Sequence, residues 1–247
     1  ILLAISLVLS AGVVPAERAE PAGISSDQID FLYALGIIDE SSESGFNSSA
    51  GVTRADYVTM LMKIVLEETP AVPTAYYDDV SPQHPAFSYI SAATALGMVR
   101  GRAERIFAPD EPVALEEAVK MLLYIAGYEQ RAIHSGGYPS GYLSVAAQLG
   151  ILSDVSVGSG ENLTKGEAAS LIYNALFVEI MQQITFGETT HIEMVSGGTM
   201  LEEYFDVTED RGIVEANAET SIDGGSLPEE NEVVIDDQRY RVGITNA

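Results

Sequence analysis

The sequence predicts a mainly α-helical fold in which three helix–loop–helix repeats pack as a pseudo-threefold bundle, followed by a small, partial β segment. The first observation is a glycine-centred segment that occurs three times, as ALGII (34–38), ALGMV (95–99) and QLGIL (148–152). The second is a helix-start motif that follows each of these glycines, and the third is strand-like composition after residue 207. Because internal repeats decide the architecture of a chain, they take precedence over other signals.

The first helix of each repeat is predicted to end at the glycine. The residues before each glycine are amphipathic, with Ile29 and Leu32 at helical spacing in the first copy. Glycine suits the end of a helix because it adopts a left-handed conformation without a Cβ clash. We therefore expect helices that end at Gly36, Gly97 and Gly150.

The second helix of each repeat is predicted to begin at one of three related segments: VTRAD (52–56), VALEE (113–117) and LTKGE (163–167). In the first and third, Thr53 and Thr164 are followed three residues later by Asp56 and Glu167, which predicts capping boxes at these helix starts. Ala114 replaces the threonine in the middle copy. Two helices cannot bury their apolar faces alone, so we expect all three repeats to pack together.

The N-terminal residues are typical of an export signal. The run ILLAISLVLSAGVV is apolar and uncharged, is too short to span a bilayer as a helix, and precedes Val14-Pro15-Ala16. We predict a partial signal peptide at 1–16, cleavage after Ala16 and no membrane insertion afterwards. The alternative is a buried N-terminal helix.

The predicted organisation after the signal is repeat 1 (25–68), repeat 2 (76–128), repeat 3 (138–180), a connector (181–206) and the start of a β domain (207–247). Residues 201–205 suggest a short helix, and 212–217 and 232–242 have strand-like composition, with a turn at Asp236-Asp237. Since two or three strands do not make a stable sheet alone, we expect this β domain to continue beyond residue 247.

Composition excludes several classes of function. With 12 Lys+Arg against 37 Asp+Glu, the net charge of −25 repels nucleic acid and anionic membrane surfaces. The absence of cysteine excludes a disulfide scaffold and cysteine-ligated zinc. The three histidines lack metal-ligand spacing, and no EF-hand spacing is present, so Ca²⁺ is left as a weak alternative and no cofactor is expected.

The sequence also gives no indication of catalysis. It contains no nucleophile elbow, phosphate loop or dinucleotide fingerprint. Adjacent acidic pairs such as Asp78-Asp79 point apart and do not form the two-carboxylate site of a glycosidase. We predict no catalytic residue, no metal site and no enzymatic activity for this chain.

Five segments resemble, in the order of the family's repeat unit, the motifs of the S-layer homology family: YYDDV (76–80), QHPAFSYI (83–90), ALGMVRG (95–101) and FAP (107–109) in repeat 2, and VTRAD (52–56) in repeat 1. The resemblance covers roughly residues 25–180 and implies three tandem repeats in a pseudo-threefold bundle. It further implies an exported protein attached non-covalently to secondary cell-wall polysaccharide, often pyruvylated, at the cell wall or cell surface.

The resemblance also implies candidate binding residues. Family members place an arginine or lysine of the helix-start motif at a groove between repeats, where it pairs with the anionic sugar. Arg54 and Lys165 match this position, whereas Leu115 occupies it in repeat 2 and is expected to have lost the contact. A cation near a helix N-terminus is unfavourable to the helix dipole, which supports a functional role. The residues Thr53, Asp56, Thr164 and Glu167 are interpreted as structural caps.

Further candidates lie outside the motif. Arg100, Arg102 and Arg105 cluster after the repeat-2 glycine and make up a quarter of the basic residues. We expect them to line a groove against a neighbouring repeat, the alternative being ordinary surface charge balance. The family's tryptophan is absent, and Pro85 stands in its place. We expect one of three tyrosines to stack on a sugar instead: Tyr89, Tyr138 or Tyr142.

Three functional hypotheses follow. The leading one is a wall-polysaccharide anchor that is not itself an enzyme. The second is an S-layer lattice protein whose β region self-associates, so that the repeats only attach it. The third is the anchor region of a secreted carbohydrate-active enzyme whose catalytic domain lies beyond residue 247.

Overall fold

The computed structural model describes residues 23–66, 75–186, 189–208, 214–217, 221, 228, 232–236 and 238–241. The predicted signal peptide (1–16) and its cleavage point lie outside the described residues. The described chain divides into two compact units, one that ends at Met200 and one that begins at Leu201.

The first unit is helix-rich. Its described helices are α1 (Ser26–Ala34), α2 (Arg54–Val65), α3 (Phe87–Ala95), α4 (Leu115–Ile125), α5 (Glu129–His134), α6 (Ser140–Gln148) and α7 (Lys165–Leu176). A hairpin of two antiparallel strands follows: β1 (Glu179–Phe186) and β2 (Thr189–Thr199). We refer to α1–α2, α3–α4 and α6–α7 as the first, second and third helix–loop–helix segments.

The first helix of each segment ends as predicted. Gly36, Gly97 and Gly150 follow α1, α3 and α6 with φ angles of 71°, 80° and 76°. The amide of Ile37 then donates to the Leu32 carbonyl at 3.0 Å, and the equivalent bond follows the other two glycines. This arrangement satisfies carbonyls that the end of a helix would leave without a partner.

The helices pack between segments rather than within them. The first helix of each segment contacts the second helix of another segment: α3 lies on α2, α6 on α4, and α1 on α7. Helix α4 also contacts both α2 and α7. Side chains on these second helices are fully buried, among them Tyr57, Leu122 and Leu171. Each segment therefore depends on its neighbours to cover its apolar face.

Backbone hydrogen bonds join the residues just before the second helices in a closed cycle. Val52 donates to Leu163 at 3.3 Å, Leu163 donates to Val113 at 3.0 Å, and Val113 donates to Val52 at 3.2 Å. The first residue of each second helix adds one more bond to another segment: Arg54 to Glu111, Leu115 to Glu161 and Lys165 to Ala50. Loops of other segments thus satisfy amides that a helix N-terminus leaves free.

The connector predicted over 181–206 is corrected by the structure, which places most of the β1–β2 hairpin there. The Met181 amide donates to the Ala126 carbonyl at 3.0 Å, so β1 is attached to the end of α4. At Gly127, with φ of 80°, an added Cβ would lie 1.9 Å from the Met181 carbonyl oxygen. The sequence did not indicate this strand because Gln182-Gln183 interrupts the alternation of apolar and polar residues that is typical of a strand.

Helix α5 was not predicted either. It is six residues long, and within it only Ala132 is buried. So short a helix shows too little apolar periodicity to be recognised in a sequence.

The second unit contains the predicted β segment. Strands β3 (Val214–Asn217), β4 (Glu232–Ile235) and β5 (Gln238–Arg241) form an antiparallel sheet in that order. The pairing of Ile235 with Gln238 confirms the hairpin turn predicted at Asp236-Asp237. The short helix predicted at 201–205 is α8 (Met200–Phe205).

Candidate functional site

The first turns of α2 and α7 carry the predicted capping boxes. Thr53 Oγ1 accepts from the Asp56 amide at 3.1 Å, and the Asp56 carboxylate accepts from the Thr53 amide at 3.2 Å. Thr164 and Glu167 make the same reciprocal pair at 3.3 and 2.9 Å. These bonds fix the first helical residues, which are Arg54 and Lys165.

The start of α4 has only half of this arrangement. The Ala114 amide donates to Glu117 at 3.4 Å, but alanine has no hydroxyl to offer in return. Leu115, which takes the place of the cation, is buried. The middle segment therefore presents no cation at this position.

Arg54 is enclosed by the second segment. It is 5% exposed; its Nε donates to the Phe107 carbonyl and its Nη2 to the Arg100 carbonyl, both at 3.2 Å. Its Nη1 lies 3.3 Å from Glu117 Oε1, and its guanidinium lies 4.8 Å from the centre of the Phe107 ring. Arg54 thus holds both ends of the 100–107 loop against the start of α2.

A small cavity of about 170 Å³, the Arg54 cleft, opens beside this arginine. Its lining is Arg54, Met98, Val99, Arg100, Gly101, Glu117, Lys120, Met121 and Tyr138. Three of these residues are cations and one is a carboxylate, so the lining is locally positive in a chain of net charge −25. Such a local excess of positive charge attracts anions.

A larger cavity of about 620 Å³, the Lys165 cleft, lies beside the other predicted cation. Its charged and aromatic lining includes Asp39, Glu40, Phe46, Asp56, Lys63, His84, Tyr89, Asp110 and Lys165. Lys165 Nζ lies 3.6 Å from Glu40, and Lys63 Nζ lies 2.7 Å from Asp39. Its four carboxylates outnumber its two lysines.

The two clefts are built from corresponding positions. Each has the first residue of a second helix on one side, Arg54 or Lys165, and the N3 acid of another second helix on the other, Glu117 or Asp56. Each is also lined by the residues that directly follow a helix-ending glycine. The clefts share their architecture and differ in charge.

The three clustered arginines have different surroundings. The side chain of Arg100 is exposed and lines the Arg54 cleft. Arg102 pairs with Glu111 at 2.7 Å and with Glu117 at 3.0 Å, and Arg105 pairs with Asp78. Neither arginine is part of the lining of the two clefts. The hydrogen bond to Arg105 lowers the pKa of Asp78. The structure therefore brings Arg100, but not Arg102 and Arg105, into a cleft.

The candidate aromatic residues also differ. Tyr138 is 51% exposed and lines the Arg54 cleft, while Tyr89 lines the Lys165 cleft. Tyr142 is 3% exposed, and burial, with the nearby Glu129 carboxylate, raises its pKa. The expectation that Tyr142 could stack on a sugar is wrong, because its ring is enclosed.

Lys120 was missed by the sequence analysis. Its Nζ lies 5.7 Å from the centre of the Tyr138 ring, at the wall of the Arg54 cleft. The signal that could have found it is the spacing from Glu117 to Lys120, since residues three apart share one face of a helix.

Within the described part of the chain, no group of three or more histidine, aspartate and glutamate side chains is placed to hold a metal ion. His84 lies 3.8 Å from Asp110 at the Lys165 cleft, which is a pair and not a metal-binding set. Among the helices that the structure describes, none is both long and apolar enough to cross a membrane.

Comparison with known families gives a match at residues 76–119, which contain α3, the 100–107 loop and the start of α4. Over these residues the chain matches the S-layer homology domain. The match covers one segment, most of the predicted repeat 2, so the predictions for 25–68 and 138–180 stay predictions.

Similar proteins are found among bacterial surface proteins. The chain is 27% identical over 180 residues to the middle cell wall protein of Brevibacillus brevis, and 26% identical over 182 residues to the surface layer protein of Brevibacillus choshinensis. Each alignment covers 72% of this chain. A cell surface protein of Thermoanaerobacter kivui is 24% identical over 216 residues, or 85% of this chain.

The aligned part of each relative is short: 17%, 16% and 28% of its length, respectively. The chain therefore corresponds to a minor part of each of these proteins. The S-layer homology domain and the three relatives support the predicted location at the cell wall or cell surface.

Proposed function

We propose that this chain anchors a non-enzymatic bacterial surface protein by binding secondary cell-wall polysaccharide in clefts between three S-layer homology repeats. S-layer homology domains in general bind cell-wall polysaccharide, which supports the class of partner. The predicted pyruvate substituent and the choice of cleft belong to the proposal.

The three-repeat arrangement within this proposal is supported by the closed hydrogen-bond cycle of Val52, Leu163 and Val113. Three copies related by a pseudo-threefold axis would each give one bond and receive one, as these residues do. The helix contacts follow the same order around the bundle: the first helix of the second segment packs on the first segment, that of the third on the second, and that of the first on the third. A bundle of this kind creates one cleft at each boundary between repeats.

The observation that carries the proposal is the charge of the Arg54 cleft. In a chain of net charge −25, this cavity is lined by Arg54, Arg100 and Lys120 against the single carboxylate of Glu117. An acidic sugar is a suitable ligand because cations hold its carboxylate while an exposed aromatic ring such as Tyr138 contacts its apolar face.

Retention on purified cell-wall sacculi tests the proposal. We expect the full chain to sediment with sacculi that carry their secondary polysaccharide, and to stay in solution with sacculi from which hydrofluoric acid has removed it. Equal sedimentation with both preparations would assign binding to peptidoglycan and contradict the proposal. Sedimentation with neither would remove anchoring as the function.

For the whole protein, we propose a place in a surface layer. The relatives named as middle cell wall protein and surface layer protein support this reading. Electron microscopy of cells that lack the protein tests it: loss of an ordered outer layer is expected, and an unchanged layer would contradict it.

A further inference from the structure

The cations of the Arg54 cleft are of two kinds. Arg54 is buried, and its Nε, Nη1 and Nη2 groups already have partners in the protein. A ligand carboxylate at this guanidinium would have to compete with Glu117 and would find almost no exposed surface. Arg54 is therefore positioned to hold the shape of the cleft rather than to make the main contact with a ligand.

Arg100 and Lys120 are the open cations of the same cleft. Neither side chain forms an ion pair within the described part of the chain. The carbonyl of Arg100 accepts from Arg54, which fixes its backbone while its side chain stays exposed. The Lys120 ammonium lies 5.7 Å from the centre of the Tyr138 ring, and both residues line the same cleft. Charges without a carboxylate partner are available for a bound anion.

The Lys165 cleft differs in this respect. Both of its lysines, Lys63 and Lys165, are already paired with carboxylates, at 2.7 and 3.6 Å. Two further carboxylates, Asp56 and Asp110, line the same cavity. An anion that entered would meet neutralised lysines and an excess of negative charge, which makes binding unfavourable.

We propose that the acidic group of the wall glycan binds in the Arg54 cleft to Arg100 and Lys120, beside the Tyr138 ring, and that the Lys165 cleft does not take it. This inference rests on the function proposed above. It moves the contact away from Arg54 and Lys165, the positions that the resemblance implies.

The volume of the cleft limits the ligand. At about 170 Å³ it is smaller than the roughly 300–1,000 Å³ of pockets for drug-sized ligands. It therefore suits one sugar ring with its acidic substituent, while the rest of the polymer runs over the surface.

Quantitative sedimentation with polysaccharide-bearing sacculi tests the inference on the full chain. Arg100→Gln and Lys120→Gln each remove one charge and keep a long polar side chain. We expect each to weaken binding about tenfold or more, and the double variant to abolish it, because each removes one charge-assisted contact. Arg100→Lys and Lys120→Arg should restore most of the binding.

Lys165→Gln and Lys63→Gln are the matched controls in the other cleft, and Arg105→Gln is the control for a nearby exposed arginine, since Arg105 pairs with Asp78 and neither residue lines a cleft. All three should bind within about twofold of the unsubstituted chain, since neutralised or remote charges contribute little. Thermal unfolding of every variant shows whether the fold is intact.

The outcomes separate the two proposals. If the unsubstituted chain is not retained, the proposed function fails and this inference fails with it. If the chain is retained but the double variant binds equally well, or Lys165→Gln is the variant that loses binding, the inference is overturned and the anchoring function stands.

Two treatments of the sacculi identify the anion. Mild acid removes ketal-linked carboxylates, and loss of binding after this step supports the Arg100–Lys120 site with a carboxylate as its ligand. Survival of binding after mild acid would contradict a ketal-linked carboxylate as the ligand, and hydrofluoric acid, which removes the whole polymer, then shows whether the retained binding still depends on the polysaccharide. Binding that survives both treatments would overturn the inference, because no acidic polymer would remain.

Discussion

Arg54 and Glu117 form an ion pair that joins the first turns of α2 and α4, with Nη1 and Oε1 3.3 Å apart. Glu117 also accepts from Arg102 at 3.0 Å, so one carboxylate links two guanidinium groups. The pair lies where the first and second helix–loop–helix segments meet. The Arg54–Glu117 ion pair therefore helps to hold the first and second segments together.

Arg54→Ala is expected to destabilise the protein by about 3 kcal/mol, because it leaves the carbonyls of Arg100 and Phe107 without their donor and removes one of the two guanidinium partners of Glu117. Urea denaturation followed by circular dichroism measures the change. Lys165→Ala is the matched control at the same helical position, with a side chain 29% exposed. It should change stability by less than about 1 kcal/mol, and equal losses for both variants would contradict the enclosed role of Arg54.

Ala114→Thr is expected to stabilise the protein by roughly 1 kcal/mol, because it completes the capping box whose other half, Glu117, is already within 3.4 Å of the Ala114 amide. The backbone at this residue already has the φ and ψ of the other two caps. Ala114→Val supplies the same branched shape without the hydroxyl and should give no such gain. A Thr variant no more stable than the Val variant in urea denaturation would contradict this interpretation.

Gly127→Ala should destabilise the protein more than Gly36→Ala. Both glycines have positive φ, at 80° and 71°, so both substitutions strain the backbone by about 1 kcal/mol or more. Only at Gly127 would the new Cβ meet another chain segment, the Met181 carbonyl at 1.9 Å, whereas nothing lies within 4 Å at Gly36. Thermal unfolding of the two variants compares them, and equal losses would mean that β1 is not held against the end of α4.

The helical part of the fold was predictable because its signals are local. The glycines that end α1, α3 and α6, and the threonine–acid pairs that begin α2 and α7, act on residues three to five positions away. The β1–β2 hairpin was not predictable in the same way. Its attachment depends on a bond from Met181 to Ala126, which no local pattern encodes.

The pH dependence of stability should include a contribution from Tyr57. Burial raises the pKa of this phenol well above its ordinary value. The folded chain therefore keeps Tyr57 protonated while the unfolded chain ionises near pH 10, so stability is retained below about pH 10 and lost as pH rises above it. Above about pH 10, this one group is expected to lower the free energy of unfolding by up to about 1.4 kcal/mol per pH unit.

Tyr57→Phe removes this dependence. The variant should match the unsubstituted chain at neutral pH within about 1 kcal/mol, because the hydroxyl makes one long hydrogen bond of 3.4 Å. Urea denaturation between about pH 9 and pH 11 should then show a shallower decline for the variant. Parallel declines would indicate that Tyr57 is open to solvent.

The candidate site was only partly predictable from the sequence. Arg54 and Lys165, the residues that the helix-start motif indicated, lie in the first turns of α2 and α7, and each lines a cleft. The sequence could not show that Arg54 is enclosed, because its partners at Arg100, Phe107 and Glu117 belong to another segment. Nor could it show that Glu40 pairs with Lys165. Side-chain availability depends on tertiary contacts that connect distant parts of the chain.

Hydrogen–deuterium exchange of the full chain, with and without polysaccharide released from sacculi, shows which of the two clefts the polymer occupies. We expect the polymer to slow exchange at 98–101 and 117–121, the segments that line the Arg54 cleft, and to leave 37–40 and 84–89 of the Lys165 cleft unchanged. Protection confined to 37–40 and 84–89, or protection at neither cleft, would contradict it.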